Sequence, residues 1–535
     1  MQMDEGAERE GAGGGAVSGE VAGVTPASSV GPEAAVAAAP PSAEWGPLRR
    51  FLFARTDVDA EATAFYLNQA GRACLFISFT FLSLAILQLA NEEAGCVADE
   101  EGSYAACTRT VYGARPSSML AIMGTASGIA SACFMPYAGA VVDFTDHRRW
   151  FGMVTAGVLA GTNALQAFLF AETWFVMMLL QATAAVMAFM GNAMVMWSYV
   201  KGLGAGSDAV LNSVTAAGRV WETTSMLVYI MVVVILSVAL SLGPVDTGRV
   251  AQAIAATAGA VLLTMAYGRF RDRPASSTLP EGHSLMYAGV RKLATTWTEL
   301  GEHAPQAQKF LICIMLMDAA TGSFTNLAVT YLNQALGISG FMVSVFILVV
   351  LLFGIPGALV HRTLCDAYGH KKNMMGVLAY WVVLTSIFIA VLRGPEQSDI
   401  AIAFAPLYGI GYGAMYPAMN GFFAALVPVG RDVEMWGWNI FAALVLSWVP
   451  PLIFTVLNES GAGLGVAMIP LLAFHLLSLL VVSTLDEERG LADGSKSMVT
   501  SSAGPLKPTS TLVDDLEKPA PDQPAHEALA PEETV

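Results

Sequence analysis

Asp318 lies about ten residues into an apolar run, 308–332, which at about 1.5 Å per helical residue sets it some 15 Å deep. A carboxyl at that depth in an apolar medium is costly, so it marks a working site by default. It can alternate between a protonated and a charged form, which suits proton coupling or recognition of an amino group. A structural hydrogen bond between helices is the plainer alternative. Thr321 and Asn326, with Ser323 and Thr325, add polar groups over the next two turns. Arg72, near the start of the run 66–90, can pair with Asp318, hold a carboxylate through its forked guanidinium, or snorkel to the nearer face. Glu222 opens the run 219–242 in Arg219-Val-Trp221-Glu222. It reads as a gate residue or as an acid favoured at a helix start by the dipole. Asn68 and Asn420, like Asn192 and Asn439, can bond a substrate or a neighbouring helix equally well. His475 reads first as a satisfied core histidine and second as a proton carrier.

The elements that hold these groups follow from composition. Hydrophobic residues make up 55% of the 535 residues and charged residues 13%, about half the charge of a typical soluble domain. Mean hydropathy is +0.57. A soluble chain of this size cannot hide so much apolar side chain and still cover its surface with charge. The composition therefore excludes a soluble enzyme and predicts an integral membrane protein. A helix needs about 20 apolar residues to cross the hydrocarbon core. Twelve runs qualify: 66–90, 117–142, 151–171, 174–200, 219–242, 250–267, 308–332, 338–360, 373–392, 399–427, 434–457 and 464–484. Three connections are long, 91–116, 201–218 and 268–307, and the last divides the spans six and six.

Sidedness follows from Lys and Arg in the connections. With both tails and the even-numbered connections in the cytosol, that side carries eighteen of these bases and the opposite side only Arg109, Arg115, Arg249 and Arg393. The connection 91–116 then faces a lumen or the exterior, where Cys96 and Cys107 either pair or stay free. The net charge of −16 resides mainly in two tails rich in Ala, Gly, Pro, Ser and Glu. Such segments bury too little apolar surface to order. The expected organisation is an acidic disordered N-tail with a basic juxtamembrane end (1–64), a six-helix bundle (65–268), a cytosolic linker (269–307), a second six-helix bundle (308–485) and an acidic disordered C-tail (486–535). Glu44-Trp45-Gly-Pro-Leu48 has the W-x-x-L form of a receptor-binding peptide. Pro47 lacks the N–H for strand addition, so an interfacial Trp anchor is the preferred reading.

The turns after the second and eighth spans repeat: Asp143-Phe-Thr-Asp146-His147-Arg148-Arg149 and Asp366-Ala-Tyr-Gly369-His370-Lys371-Lys372. Recurrence at equivalent places marks a duplicated six-helix unit. The turns resemble the signature loop of the major facilitator superfamily, G-x-x-x-D-x-x-G-[RK]-[RK]. Gly139, Asp143, Arg148 and Arg149 match in the first copy, and Asp366, Gly369 and Lys371 in the second. Asp146 replaces one Gly, and Arg362 stands where another belongs. The resemblance implies that these turns gate conformations and leave substrate to other residues. A second apparent repeat, Tyr66–Ala70 against Tyr331–Ala335, has a different separation and reads as coincidence or as convergent interface chemistry.

Three stretches resemble one branch, the autophagy-related vacuolar amino-acid effluxers. They are Phe310–Thr321 around Asp318, the Gly-rich run Gly409-Ile-Gly411-Tyr-Gly413 with Phe423–Gly437 after it, and Ser447-Trp448-Val-Pro450-Pro451. In the second stretch Asp432 falls on the family's acid, while Met419, Asn420 and Gly421 stand where the family often has S-R-S. Gly409, Gly411, Gly413 and Gly421, with Pro417, mark a helix that packs closely and bends. Metal-ligand spacing, a nucleophile elbow and a phosphate loop are all missing, so no enzyme, cofactor or metal is expected. Dispersed bases and acidic tails speak against nucleic acid. The sequence thus predicts an all-α integral membrane protein with twelve transmembrane helices in two six-helix pseudo-repeats, the major facilitator fold. The resemblance implies a monomeric secondary transporter exporting amino acids, with or without protons, from a vacuole or lysosome, the plasma membrane being the other candidate. A transporter of another small metabolite and a non-transporting receptor or scaffold are the rivals.

Overall fold

The computed structural model describes residues 60–98, 104, 107–203, 208–275, 278–279, 282–428 and 432–495. The acidic tails beyond these limits, the Glu44–Leu48 peptide and the Gly430–Arg431 step of the family-like stretch lie outside the described residues. Among the described residues the chain is helical, apart from one isolated β-bridge between Val111 and Ala114.

The first six expected spans fall on α1 (Ala60–Ile77) with α2 (Phe79–Glu93), α3 (Pro116–Phe144), α4 (Arg148–Gln166), α5 (Trp174–Leu180) running through a π-turn into α6 (Val186–Leu203), α7 (Asp208–Ala239) and α8 (Pro244–Tyr267). The helix α9 (Leu285–His303) follows in the linker. The second six fall on α10 (Pro305–Thr330) with a π-turn at Tyr331–Ala335, α11 (Gly340–Tyr368), α12 (His370–Val391), α13 (Ser398–Ala403) with α14 (Ala405–Leu426), α15 (Asp432–Val445) with α16 (Val449–Glu459), and α17 (Leu464–Ala467) with α18 (Ile469–Ser483). A short α19 (Glu487–Gly494) closes the described chain. Pro116, Pro244 and Pro305 each occupy a first helical turn, where a missing N–H costs nothing.

Ten of these rods are long and apolar enough to cross a membrane. The other two are α4, carrying Arg148, Arg149, Thr155, Thr162, Asn163 and Gln166, and α14, diluted by Gly, Tyr, Pro and Asn. One boundary also differs from expectation. The helix α7 starts at Asp208, so Glu222 sits mid-helix and does not open the span. Within the linker α9 has a buried edge of Ala288, Gly289, Thr296 and Leu300, a helical spacing.

Within the first half α1 packs on α7 and α8, and α4 on α8. Within the second half α11 packs on α14, and α10 and α12 on α18. The halves meet through α3 against α15 and α16, α7 against α11, and α2 against α10. Ala60–Glu93 is the most enclosed span, with 83% of its most apolar stretch buried. It breaks at Ser78, whose hydroxyl reaches Leu75 O at 2.9 Å, Asn163 Oδ1 at 3.0 Å and Gln252 Oε1 at 3.4 Å. That buried knot satisfies polar groups that the bilayer cannot. The α11–α14 seam depends on glycine. A Cβ on Gly413 would collide with Gly354 O, and one on Gly357 with Ile410 O. Small residues let backbones approach where no water drives helices together.

Candidate functional site

Asp318 stands fourteenth in α10, near the middle of the rod that ends at Ala335. It is half-buried although α10 is an inner helix packed between α2, α3, α15 and α18. Exposure on such a helix opens onto space between the two halves. Tyr416 of α14 donates to Asp318 Oδ1 at 3.2 Å. About two turns further along α10, Thr325 Oγ1 lies 3.2 Å from the Tyr412 hydroxyl, which donates to Thr321 O at 3.0 Å. Gly322, one turn from Asp318, is exposed and a Cβ there would meet nothing within 4 Å. Asn326 lies opposite Gly124 of α3, and Asn420 is half-buried one turn from Tyr416. Asp318, Gly322, Thr325, Asn326, Tyr412 and Tyr416 therefore form one wall.

Thr321 does not belong to that wall. It is fully buried, and its hydroxyl faces His475 Nε2 at 3.2 Å. His475 has its other nitrogen 2.8 Å from Leu471 O and stacks on Trp381 at 5.3 Å. Both groups pack α10 against α18.

The remaining candidates lie in the first half. Arg72 does not pair with Asp318, and it does not snorkel. It is 7% exposed, with its guanidinium 4.2 Å above the Phe189 ring and Nη1 3.9 Å from Met196 Sδ. Asn68 is fully buried, and Asn192 Nδ2 donates to the Tyr267 hydroxyl at 2.8 Å. Glu222 pairs with Arg219 one turn away at 2.7 Å, and Arg219 is 51% exposed.

Contacts join the halves at both ends. At the end bearing the disulfide, Glu459 Oε1 accepts from Arg115 N at 2.8 Å and Ser118 Oγ at 2.5 Å. Asn458 Nδ2 donates to Ser117 Oγ at 2.7 Å and Ser118 Oγ at 2.8 Å. Cys96 and Cys107 are bonded, with Cα atoms 5.9 Å apart. Beside them Tyr104 donates to Glu92 at 3.3 Å, and burial, then Glu92, pushes its phenol up to about 12. At the basic end Trp197 stacks on Trp436 at 6.2 Å.

The two repeated turns have unlike partners. Asp143 binds Lys292 of α9 at 2.7 Å. Arg148 caps α3 through Val142 O, and Arg149 reaches Tyr267 O and Asp272. Asp366, in contrast, is 76% exposed and lies 4.0 Å from Arg362 of its own helix. The second turn is held by its backbone: His370 N and Lys371 N donate to Glu487, Lys371 Nζ reaches Leu485 O, and Gly369 adopts φ +81°. A positive φ is where glycine is needed. Gly139 is different, since a Cβ there would meet nothing. Both turns are anchored, but only the first ties its Asp to another element.

Sequence reasoning missed Tyr412, Tyr416 and Phe189 as neighbours of the candidate residues. The one available signal was Tyr408, Tyr412 and Tyr416 at four-residue spacing in a glycine-rich run, a helical face.

The architecture is that of known transporters. A variant of the nucleoside transporter NupG matches with TM-score 0.54 and 14% identity over 79% of this chain and 99% of that one. A D-xylose-proton symporter matches with TM-score 0.53 and 13% identity over 80% and 98%. The xylose transporter XylE from E. coli, in an inward open conformation, matches with TM-score 0.55 and 11% identity over 81% and 97%. No curated protein matches in sequence. The fold is the major facilitator fold, and the chain is a multi-pass membrane protein of the transporter class. A family model described as vacuole effluxer Atg22 like matches residues 206–495, more than half of the sequence, and the chain belongs to that family.

Proposed function

We propose that this protein exports amino acids from a vacuole- or lysosome-like compartment by alternating access, in the service of autophagy. The observation that carries the reading is Asp318, half-exposed on an inner helix and held by Tyr416 in the interior between two six-helix halves. A carboxylate kept at that depth favours a function over a purely structural role. Asp318 is the coupling acid: it takes a proton in one state and releases it in the other. One neighbouring fold is named a D-xylose-proton symporter, so this architecture accommodates proton coupling. The vacuolar compartment comes from the family description, and the amino-acid cargo from the resemblance of Phe310–Thr321, Gly409–Gly437 and Ser447–Pro451 to the vacuolar amino-acid effluxers.

The protein acts as a monomer, without cofactor or metal, and both termini and the 268–307 linker lie in the cytosol. The excess of Lys and Arg on that side supports this orientation. Asp143 biases conformation by holding α9 to the first half, whereas Asp366 has, among the described residues, no ion-pair partner on another element to release.

The test is flux. Purified protein in proteoliposomes should carry labelled neutral L-amino acids, and an imposed pH gradient should drive their accumulation. Flux no greater than in protein-free liposomes across the amino-acid panel would refute the reading.

A further inference from the structure

Arg72 is a buried cation without an ionic partner. It is 7% exposed, its Nε has no hydrogen-bond partner, and Nη1 meets only the Met196 thioether. Among the described residues no carboxylate pairs with it. Glu222 is engaged at 2.7 Å by Arg219. Removing a guanidinium from water is expensive unless an anion compensates it at some stage of the working cycle. The Asn192 carboxamide oxygen, buried on the same helix about one turn before Met196 and three residues after Phe189, is also without a partner.

One ring lies over the guanidinium: Phe189, at 4.2 Å, which also stacks against Phe76 at 5.5 Å. Phe76 is 48% exposed on the most enclosed span of the protein. Exposure there opens onto the interior space, because α1 and α2 are wrapped by α6, α7, α8 and α10. Rotating Phe189 about its side-chain bonds would present Arg72 to that interior.

We propose that Arg72 is the carboxylate-binding half of the transport site, with Phe189 as its movable cover and Asn192 as an adjoining polar group. The proposal rests on the amino-acid reading and deepens it. Cargo with a free carboxylate would bind Arg72 of the first half while the rest of the molecule contacts the Asp318 wall. Spanning both halves, such a ligand would stabilise the closed assembly that carries it across. The guanidinium fork fits a carboxylate through two parallel N–H···O bonds.

The experiment compares neutral L-amino acids with their carboxamides on purified protein, by competition for bound label and by thermal shift. Wild-type protein should prefer the acid at least tenfold over the amide, and Arg72→Gln should reduce that ratio to near one. Arg72→Lys keeps the charge but not the fork and should fall between. The melting temperature of ligand-free Arg72→Gln should be no lower than wild type, since an uncompensated buried charge has been removed. A clear drop in that melting temperature, with the acid-over-amide ratio unchanged, would make Arg72 structural and overturn the proposal. Loss of the ratio in Arg219→Gln but not in Arg72→Gln would assign the carboxylate to Arg219 and likewise overturn it. Failure of wild-type protein to bind any member of the panel would refute the amino-acid reading itself, a result distinct from binding that ignores Arg72.

Discussion

Asp318 and Thr321 are three residues apart and have opposite fates, one on the interior wall and one packed on His475. Asp318→Asn removes the titrating proton while keeping the shape. We expect pH-driven accumulation to vanish and exchange of labelled for unlabelled substrate to continue within a few fold of wild type. Loss of both with normal folding would instead make Asp318 a substrate ligand. Gly322→Ala adds a methyl group to open interior space. It should leave the melting temperature unchanged and alter the apparent affinity of transport. Asp318 was legible in the sequence because a charge in an apolar run has one physical excuse. Thr321 was not, because α10 is apolar on nearly every face and carries no periodic stripe to separate core from cavity. The position of Arg72 was legible but its surroundings were not. Phe189 and Met196 lie more than a hundred residues away, and nothing in an aromatic or a thioether announces a cation's neighbour.

At the scale of elements, the glycines of α14 do what their spacing implies, admitting α11 to backbone contact. Gly413→Ala should force α11 and α14 apart and destabilise by about 1–3 kcal/mol, the usual range for overpacking, read as a lower melting temperature in detergent. An unchanged melting temperature would mean the seam relaxes freely. The two repeated turns separate here. Asp143→Asn breaks the 2.7 Å pair to Lys292 and should slow transport while leaving substrate affinity within a few fold. Asp366→Asn touches an exposed pair at 4.0 Å, and pairs of that kind contribute little, so its rate should stay close to wild type. Equal slowing by both would show that the turns act through a feature other than these ion pairs. The repeat was readable because duplication preserves sequence at equivalent places. The difference was not, because it depends on α9, a helix that only one turn can reach.

The whole molecule was the most legible scale, since composition and span count leave few architectures for a chain this apolar. What the sequence could not convey was how the halves meet. The lock among Arg115, Ser117, Ser118, Asn458 and Glu459 joins residues some 340 positions apart, and each is unremarkable alone. With that end closed, alternating access requires the lock to open once per cycle. Coupling of a proton gradient to amino-acid movement by Asp318 is read most directly from uptake of labelled neutral L-amino acids by proteoliposomes under an imposed pH gradient, with wild-type and Asp318→Asn protein at matched folded amounts. Wild-type protein should accumulate label above protein-free liposomes and the variant should accumulate none. Gradient-driven accumulation of equal size in both would contradict that coupling.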